Sequence, residues 1–339
     1  MKKPSGRPAG KTRPLKDSYE RRIDYLRISI TDKCNLKCVY CMPKGGLKYF
    51  RESEVLTSEE IVRFIRIAQK NGLRKVRITG GEPLLRKDII SLVSSIKKTG
   101  IRDLSLTTNG VMLPKLAKKL RKAGLDRVNI SLDTMNAERY SAITNGGDIN
   151  CVWEAIKEAE MAGLSPVKIN VVPIRGINDD EIVSFASLTL EKNFHVRFIE
   201  FMPAGCKEMW SEGMCVSSNE VKDRISKLGS LVELKFRGKG PSRNFRIKGA
   251  KGVIGIISPL SEHFCGYCNR LRLTSDGKIR PCLFSDVEID IKTPMRNGDS
   301  DRDIEKLYYD AIRVKPKRHF LREDSASAAI IKSMSKIGG

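Results

Sequence analysis

Three thiols fall within eight residues, in Ile30-Thr-Asp-Lys-Cys34-Asn-Leu-Lys-Cys38-Val-Tyr40-Cys41-Met-Pro43. Thiolates at this spacing can chelate. A tetrahedral zinc ion wants four ligands and a fully ligated [4Fe–4S] cluster four cysteines, so a trio leaves one coordination position open, and a substrate binds there. A zinc knuckle or a reducible cysteine cluster is the competing reading of the same residues. A second trio follows in His263-Phe-Cys265-Gly-Tyr-Cys268-Asn-Arg270-Leu271-Arg272 and on to Cys282, with the spacing C-x2-C-x13-C. His263 can complete a Cys3His zinc site there, whereas a second three-thiolate cluster would leave another open iron able to take a substrate heteroatom.

Other residues look equipped for ligands. Thr79-Gly80-Gly81-Glu82-Pro83 stands at the end of an expected strand, where a double glycine lets backbone approach a ligand that any Cβ would exclude. Such a loop can hydrogen-bond an amino-acid ammonium, although Gly-Gly-Glu-Pro is also an ordinary turn. Arg270 and Arg272 point the same way if their segment is extended, beside the second trio. They suit a phosphate, because the guanidinium fork donates bidentate hydrogen bonds and keeps its charge. Arg27, Lys75, Arg77, Lys168 and Arg197 alternate with apolar residues on expected strands, so they face a lumen or solvent. A solvated rim explains any one of them, but five converging cations would suit a triphosphate.

The elements that must position these groups read as repeated βα units with a parallel sheet. Strands are expected at Tyr25–Ile30, Lys75–Thr79, Asp103–Thr107, Arg127–Ser131, Val167–Val172 and His195–Glu200. Thr57-Ser-Glu-Glu opens a helix with a capping-box pattern that Asn71-Gly72 closes, and Ile61, Phe64, Ile65 and Ala68 share its apolar face. Six strands are too few for a closed (β/α)8 barrel, yet each functional-looking stretch ends a strand, as in barrel active sites. The spacing therefore predicts an α/β fold, a partial (β/α)6 TIM-like barrel with a C-terminal extension that carries the second cysteine trio. Three regions are expected: a mobile basic leader at 1–20, the core at 21–240 and a C-terminal region at 241–339 with a Gly-Gly tail. The linker is placed near Gly238-Lys-Gly-Pro-Ser, and later elements at Val253–Ile257 and around Ile304–Val314.

Composition bounds the function. The chain has 339 residues, a net charge of +23 and nine cysteines, six of them in the two trios. No run of eighteen apolar residues occurs, and a reducing compartment suits chelating thiols better than disulfides, so a cytoplasmic protein is expected. The charge makes nucleic acid the first macromolecular partner to consider, but aromatics are only 6% of residues and no base-reading motif is present. A small polyanion fits as well.

The first trio with its aromatic at Tyr40 resembles the signature of the radical S-adenosylmethionine (SAM) enzymes, and Gly-Gly-Glu-Pro resembles the element that holds the methionyl part of SAM. Taken with the second trio, Leu26-Arg27-Ile-Ser-Ile-Thr-Asp, Leu106-Thr107-Thr-Asn109-Gly, Asn129-Ile-Ser131-Leu-Asp, Lys168-Ile-Asn-Val-Val, Arg197-Phe-Ile-Glu-Phe-Met202 and the terminal Gly338-Gly339, nearly the whole chain is similar to the GTP 3′,8-cyclase family of molybdenum cofactor biosynthesis. The resemblance implies two [4Fe–4S] clusters, on Cys34, Cys38 and Cys41 and on Cys265, Cys268 and Cys282. It implies SAM held by Tyr40, Gly81, Ser131 and Met202, and GTP held by Arg27, Arg77, Thr107, Lys168, Arg270, Leu271 and Arg272. The first cluster would cleave SAM to a 5′-deoxyadenosyl radical that removes hydrogen from C3′ of GTP, giving (8S)-3′,8-cyclo-7,8-dihydroguanosine 5′-triphosphate. The second would anchor the purine. An external electron donor and hand-off of product to cyclic pyranopterin monophosphate synthase are implied as well, a homodimer is left open, and no membrane partner is expected. The Gly-Gly tail is expected to enter the barrel. Cys151, Cys206 and Cys215 are read as ordinary small residues, and His195 and His319 receive no role. Two alternatives stay open: a radical SAM enzyme that modifies a peptide or RNA and uses the second cluster for electron transfer, and a zinc-dependent nucleic-acid binder with two knuckles.

Overall fold

The computed structural model describes residues 15–42, 46–203, 209–234, 240–319 and 334–337. Cys206, Gly338-Gly339, the first two residues of the expected linker (Gly238 and Lys239) and residues 1–14 lie outside the described residues. Six parallel strands form the centre: β1 (Tyr25–Ser29), β2 (Lys75–Thr79), β3 (Asp103–Thr108), β4 (Arg127–Ser131), β5 (Lys168–Val171) and β6 (His195–Ile199). They pair in sequence order, as βα units require. Helices α1 (Ser58–Lys70), α2 (Ile89–Lys98), α3 (Leu113–Lys122), α4 (Ala137–Thr144), α5 (Ile149–Met161) and α6 (Ile182–Glu191) fall between them. Helix α1 is capped as its sequence predicts: Thr57 accepts from Glu60 N, the Glu60 carboxylate accepts from Thr57 N, and Ile61, Phe64, Ile65 and Ala68 are buried.

The C-terminal region adds to this sheet rather than standing apart. Its strands are β7 (Leu231–Leu234), β8 (Arg243–Ile247), β9 (Val253–Ile257), β10 (Arg270–Leu273), β11 (Lys278–Arg280) and β12 (Ile289–Asp290). Strand β9 pairs parallel with β6 at one edge, and β10 pairs parallel with β1 at the other. The parallel run therefore has eight strands, extended by antiparallel β8 and β7 at one end and β11 and β12 at the other. The expected mobile leader needs correction for its last residues. Leu15–Lys16 pairs antiparallel with Arg22–Ile23 across a turn stapled by the buried Asp17–Arg21 ion pair. Arg21 also donates to the carbonyls of Cys265, Pro316 and Lys317, tying this hairpin to the second trio.

Alternation along the strands sends apolar side chains outward to the helices and polar ones inward. Leu26 and Ile28 of β1, Val76 and Ile78 of β2 and Leu271 and Leu273 of β10 are all in the core. Their neighbours Arg27, Arg77 and Arg272 stand in register on adjacent strands, Arg272 beside Arg27 and Arg27 beside Arg77.

Candidate active site

The inward side chains surround one cavity of about 560 Å³, and both cysteine trios line it. The first trio sits on the loop after β1, where Cys41 N and Met42 N both donate to the Cys38 carbonyl at 3.0 Å and close a tight turn. The Gly-Gly pair is needed here for protein backbone. A Cβ on Gly81 would lie 2.2 Å from the Lys33 carbonyl oxygen, and one on Gly80 would lie 2.5 Å from that of Thr31. Gly81 N and Glu82 N donate to those same carbonyls, so the loop after β2 braces the cysteine loop. The close approach expected for a ligand is thus made first by the chain itself, although both glycines also line the cavity.

Two buried carboxylates support this end. Glu82 accepts from Leu84 N, Asn109 N and Thr108 Oγ1, joining the loops after β2 and β3. Burial raises its pKa to about 7 against the pull of those donors. Asp133 accepts from Tyr40 Oη and from Val172 N, and burial raises its pKa to about 6. Ser131 and Met202 line the same cavity as Tyr40 and Gly81, so all four residues expected around SAM border it.

The second trio is assembled from two limbs, a short 3-10 turn at Cys265–Tyr267 and the residues after β11. Lys315, only 3% exposed, donates to the carbonyls of Arg270 and Pro281 and so fastens one limb to the other. Burial opposes ionisation of Cys268, but Arg270 and Lys315 beside it bring its thiol down to about 6. That thiol is therefore largely the thiolate that a metal needs.

Between the trios the walls are cationic. Arg27, Arg77, Arg127, Lys168, Arg197 and Arg272 all reach the cavity. Burial together with like-charged neighbours depresses Lys168 to about 6, Arg197 to about 9 and Arg272 to about 10, and holds Arg27 well below the usual arginine range. Arg27 Nε, Arg197 Nε, Thr107 Oγ1 and Asn170 Oδ1 are buried without a hydrogen-bond partner. Buried donors left unpaired cost free energy until a ligand meets them, and clustered cations repel until an anion lies among them. The lumen is built for a polyanion.

The expected nucleotide residues converge on this cavity, apart from one side chain. Leu271, 1% exposed, points into the core between the two arginines, so any contact of that residue falls to its backbone. Sequence reasoning missed Tyr25, Arg127, Asp133 and Lys315, and it dismissed His195 and His319, all of which line the cavity. The alternation that marked Arg27 also marks Tyr25 and Arg127. The Tyr40–Asp133 contact spans 93 residues and has no local signal. Cys151 and Cys215 do not line the cavity.

The thiols fit clusters better than single ions. Three thiolates without a fourth protein sulfur match a [4Fe–4S] cluster that keeps one iron open, which a closed four-ligand zinc site does not.

A parallel partial barrel with a three-cysteine loop at the C-terminal end of its first strand defines the class, and residues 28–189 match the Radical SAM superfamily. Residues 194–321 match the Molybdenum Cofactor Synthesis C family. The chain is 49% identical over 328 residues to a GTP 3′,8-cyclase of Pelotomaculum thermopropionicum, covering 96% of this chain and 100% of that protein. It is 48% identical over 326 residues to one of Heliobacterium modesticaldum, covering 95% and 99%. Among solved structures, SuiB of Streptococcus suis bound to S-adenosylmethionine shares the fold at a TM-score of 0.55 and 17% identity, over 79% of this chain and 63% of that one. The chain belongs to the GTP 3′,8-cyclase family of radical SAM enzymes. Among the described residues, no helix is long and apolar enough to cross a membrane.

Proposed function

We propose that this enzyme converts GTP into (8S)-3′,8-cyclo-7,8-dihydroguanosine 5′-triphosphate, the first step of molybdenum cofactor biosynthesis. The observation that carries the reading is one cavity with a cysteine trio at each end and buried cations between them, of which Arg27 and Arg197 each leave a buried Nε without a partner. When bound, SAM and the two [4Fe–4S] clusters supply a 5′-deoxyadenosyl radical that removes the C3′ hydrogen, and an open iron for the purine. The chain supplies position. Cys34, Cys38 and Cys41 hold the first cluster, while Tyr40, Gly81, Ser131 and Met202 shape the SAM site beside it. Cys265, Cys268 and Cys282 hold the second.

Arg27, Arg77, Lys168, Arg197, Arg270 and Arg272 bind the triphosphate, and Thr107 offers a hydroxyl to the nucleoside. Fixing both ends of the nucleotide matters because misplacing a reacting carbon by about 1 Å can cost on the order of a hundredfold in rate. The labour divides near residue 240: residues 21–240 hold SAM and supply most of the cations for the triphosphate, and residues 241–339 hold the second cluster for the purine. The reading carries with it an external one-electron donor, a cytoplasmic location and release of product to a cyclic pyranopterin monophosphate synthase. Reconstituted anaerobic enzyme with SAM and dithionite should form 5′-deoxyadenosine on addition of GTP but not of ATP, RNA or peptide. Equal stimulation by RNA would favour a nucleic-acid modifier and defeat the assignment.

A further inference from the structure

Beside the second trio, two imidazoles meet edge to face, His263 and His319, with ring centroids 4.7 Å apart. Each ring turns one nitrogen to the same acceptor. His263 Nδ1 lies 2.9 Å and His319 Nε2 lies 2.8 Å from the carbonyl oxygen of Pro259. A carbonyl oxygen has no proton to give, so both of these nitrogens are the protonated ones. In neutral rings the lone pairs then sit on His263 Nε2 and His319 Nδ1. His319 is 7% exposed, and its Nδ1 is buried without a partner. A doubly protonated His319 would bury an unpaired N–H, which the site gives no means to satisfy.

An imidazole whose N–H is held by a backbone carbonyl and whose other nitrogen is unpaired has the outer-shell arrangement of a metal-ligating histidine. A third donor is at hand. One ligand atom from each of His263, Cys265 and His319 lies within 4.8 Å of the other two. We propose that these three residues form a site for one divalent transition-metal ion, zinc by donor chemistry, that takes Cys265 whenever the second cluster is not in place.

Two imidazoles and a thiolate suit zinc or cobalt and suit magnesium or calcium poorly, since those demand oxygen. A tetrahedral ion with Zn–N of about 2.0 Å and Zn–S of about 2.3 Å spaces its donors about 3.3–3.6 Å apart, so the imidazoles turn their lone pairs toward the ion and the three residues draw together on binding. Exposed His263 supplies that motion and an entry path for the ion. Ligation sends the Cys265 thiol proton to solvent, and water completes the shell. Because Cys265 is common to both, the ion and the cluster compete. This competition rests on the cluster assignment above; the three-residue site does not.

The test uses the full-length chain under anaerobic conditions. In a Cys38→Ala, Cys268→Ala background neither trio is complete. That protein should bind one Co(II), with tetrahedral d–d absorption and thiolate-to-cobalt charge transfer. Adding His263→Ala, at an exposed position, should weaken binding at least about tenfold. His319→Gln should do the same if the protein stays folded by circular dichroism. Unchanged affinity and spectrum in the His263→Ala protein, or an octahedral spectrum without charge transfer, would overturn the proposal. In a second arm, wild-type chain preloaded with one zinc should take up about four irons on reconstitution instead of about eight. The His263→Ala chain should recover the full iron content. A block that persists in His263→Ala also refutes the site, whereas a native chain that never reaches about eight irons without zinc refutes the cluster assignment instead.

Discussion

The two ends of the cavity hold the same three thiols in opposite electrostatic company. At the first end, burial raises the Cys34 and Cys38 thiols, and the carboxylates of Glu82 and Asp133 push the same way. At the second, burial still raises the Cys265 thiol, but Arg270 and Lys315 overcome it at Cys268 and leave that thiol ionised near neutrality. Ligand count alone would make the trios equivalent; their surroundings separate them. Buried carboxylates suit the cationic sulfonium and ammonium of SAM, whereas a cationic wall suits a nucleotide triphosphate. One stretch of eight residues carries the first trio, braced by the loop after β2 and by Asp133. The second draws on Arg21 near the N-terminus, on β10 and β11, and on Lys315 near the C-terminus.

The largest effects should come from breaking each trio in turn. Cys38→Ala should abolish both 5′-deoxyadenosine and cyclised product. Cys282→Ala should lower iron from about eight to about four per chain and abolish the product while slow SAM cleavage continues. Product from the Cys282→Ala protein at the native rate would make the ends functionally equivalent, against the contrast drawn here.

A smaller loss is expected between the ends. Arg197→Met removes a buried, unpaired donor, and a charged hydrogen bond is worth about 1.5–3 kcal/mol. GTP should bind roughly ten- to a hundredfold more weakly, with SAM affinity unchanged. A matching loss of SAM affinity would show that the two ends share one electrostatic field.

Lys168 sharpens the contrast through pH. Its pKa of about 6 in the free protein must rise when a triphosphate lies beside it, so GTP binding takes up protons near pH 7. The added affinity is fully present below about pH 6 and is lost as pH rises through the higher bound-state value. Affinity should therefore fall with rising pH by at most about tenfold per unit, and calorimetry in buffers of different ionisation enthalpy should show the uptake. SAM binding should show none of it from this residue.

The smallest effect should come from a site remote from both ends. Thr57→Ala removes the cap of α1 and should cost about 1 kcal/mol in denaturant unfolding while leaving GTP affinity alone.

What was legible in the sequence was local. Period-two alternation set Arg27, Arg77, Lys168 and Arg197 on the face away from the apolar core, lumen or solvent, while cysteine spacing marked both trios and the capping box marked the start of α1. What was not legible depends on pairing across long separations. The joining of Val253–Ile257 to β6 and of Arg270–Leu273 to β1 turns an apparent appendage into the two edges of the parallel sheet. Buried Lys315 and the Pro259 carbonyl shared by two histidines likewise follow only from the folded chain. The double glycine marks a close approach in the sequence, and the Thr31 and Lys33 carbonyls that make it come from a loop the sequence alone does not pair with it.

The central claim, that the nucleotide lies with C3′ presented to the SAM end, is tested most directly by isotope transfer. Native enzyme is reconstituted anaerobically, given dithionite, SAM and GTP deuterated at C3′, and the 5′-deoxyadenosine is analysed by mass spectrometry. One deuterium should appear in 5′-deoxyadenosine for each cyclised nucleotide formed. Cyclised product accompanied by unlabelled 5′-deoxyadenosine would contradict the account.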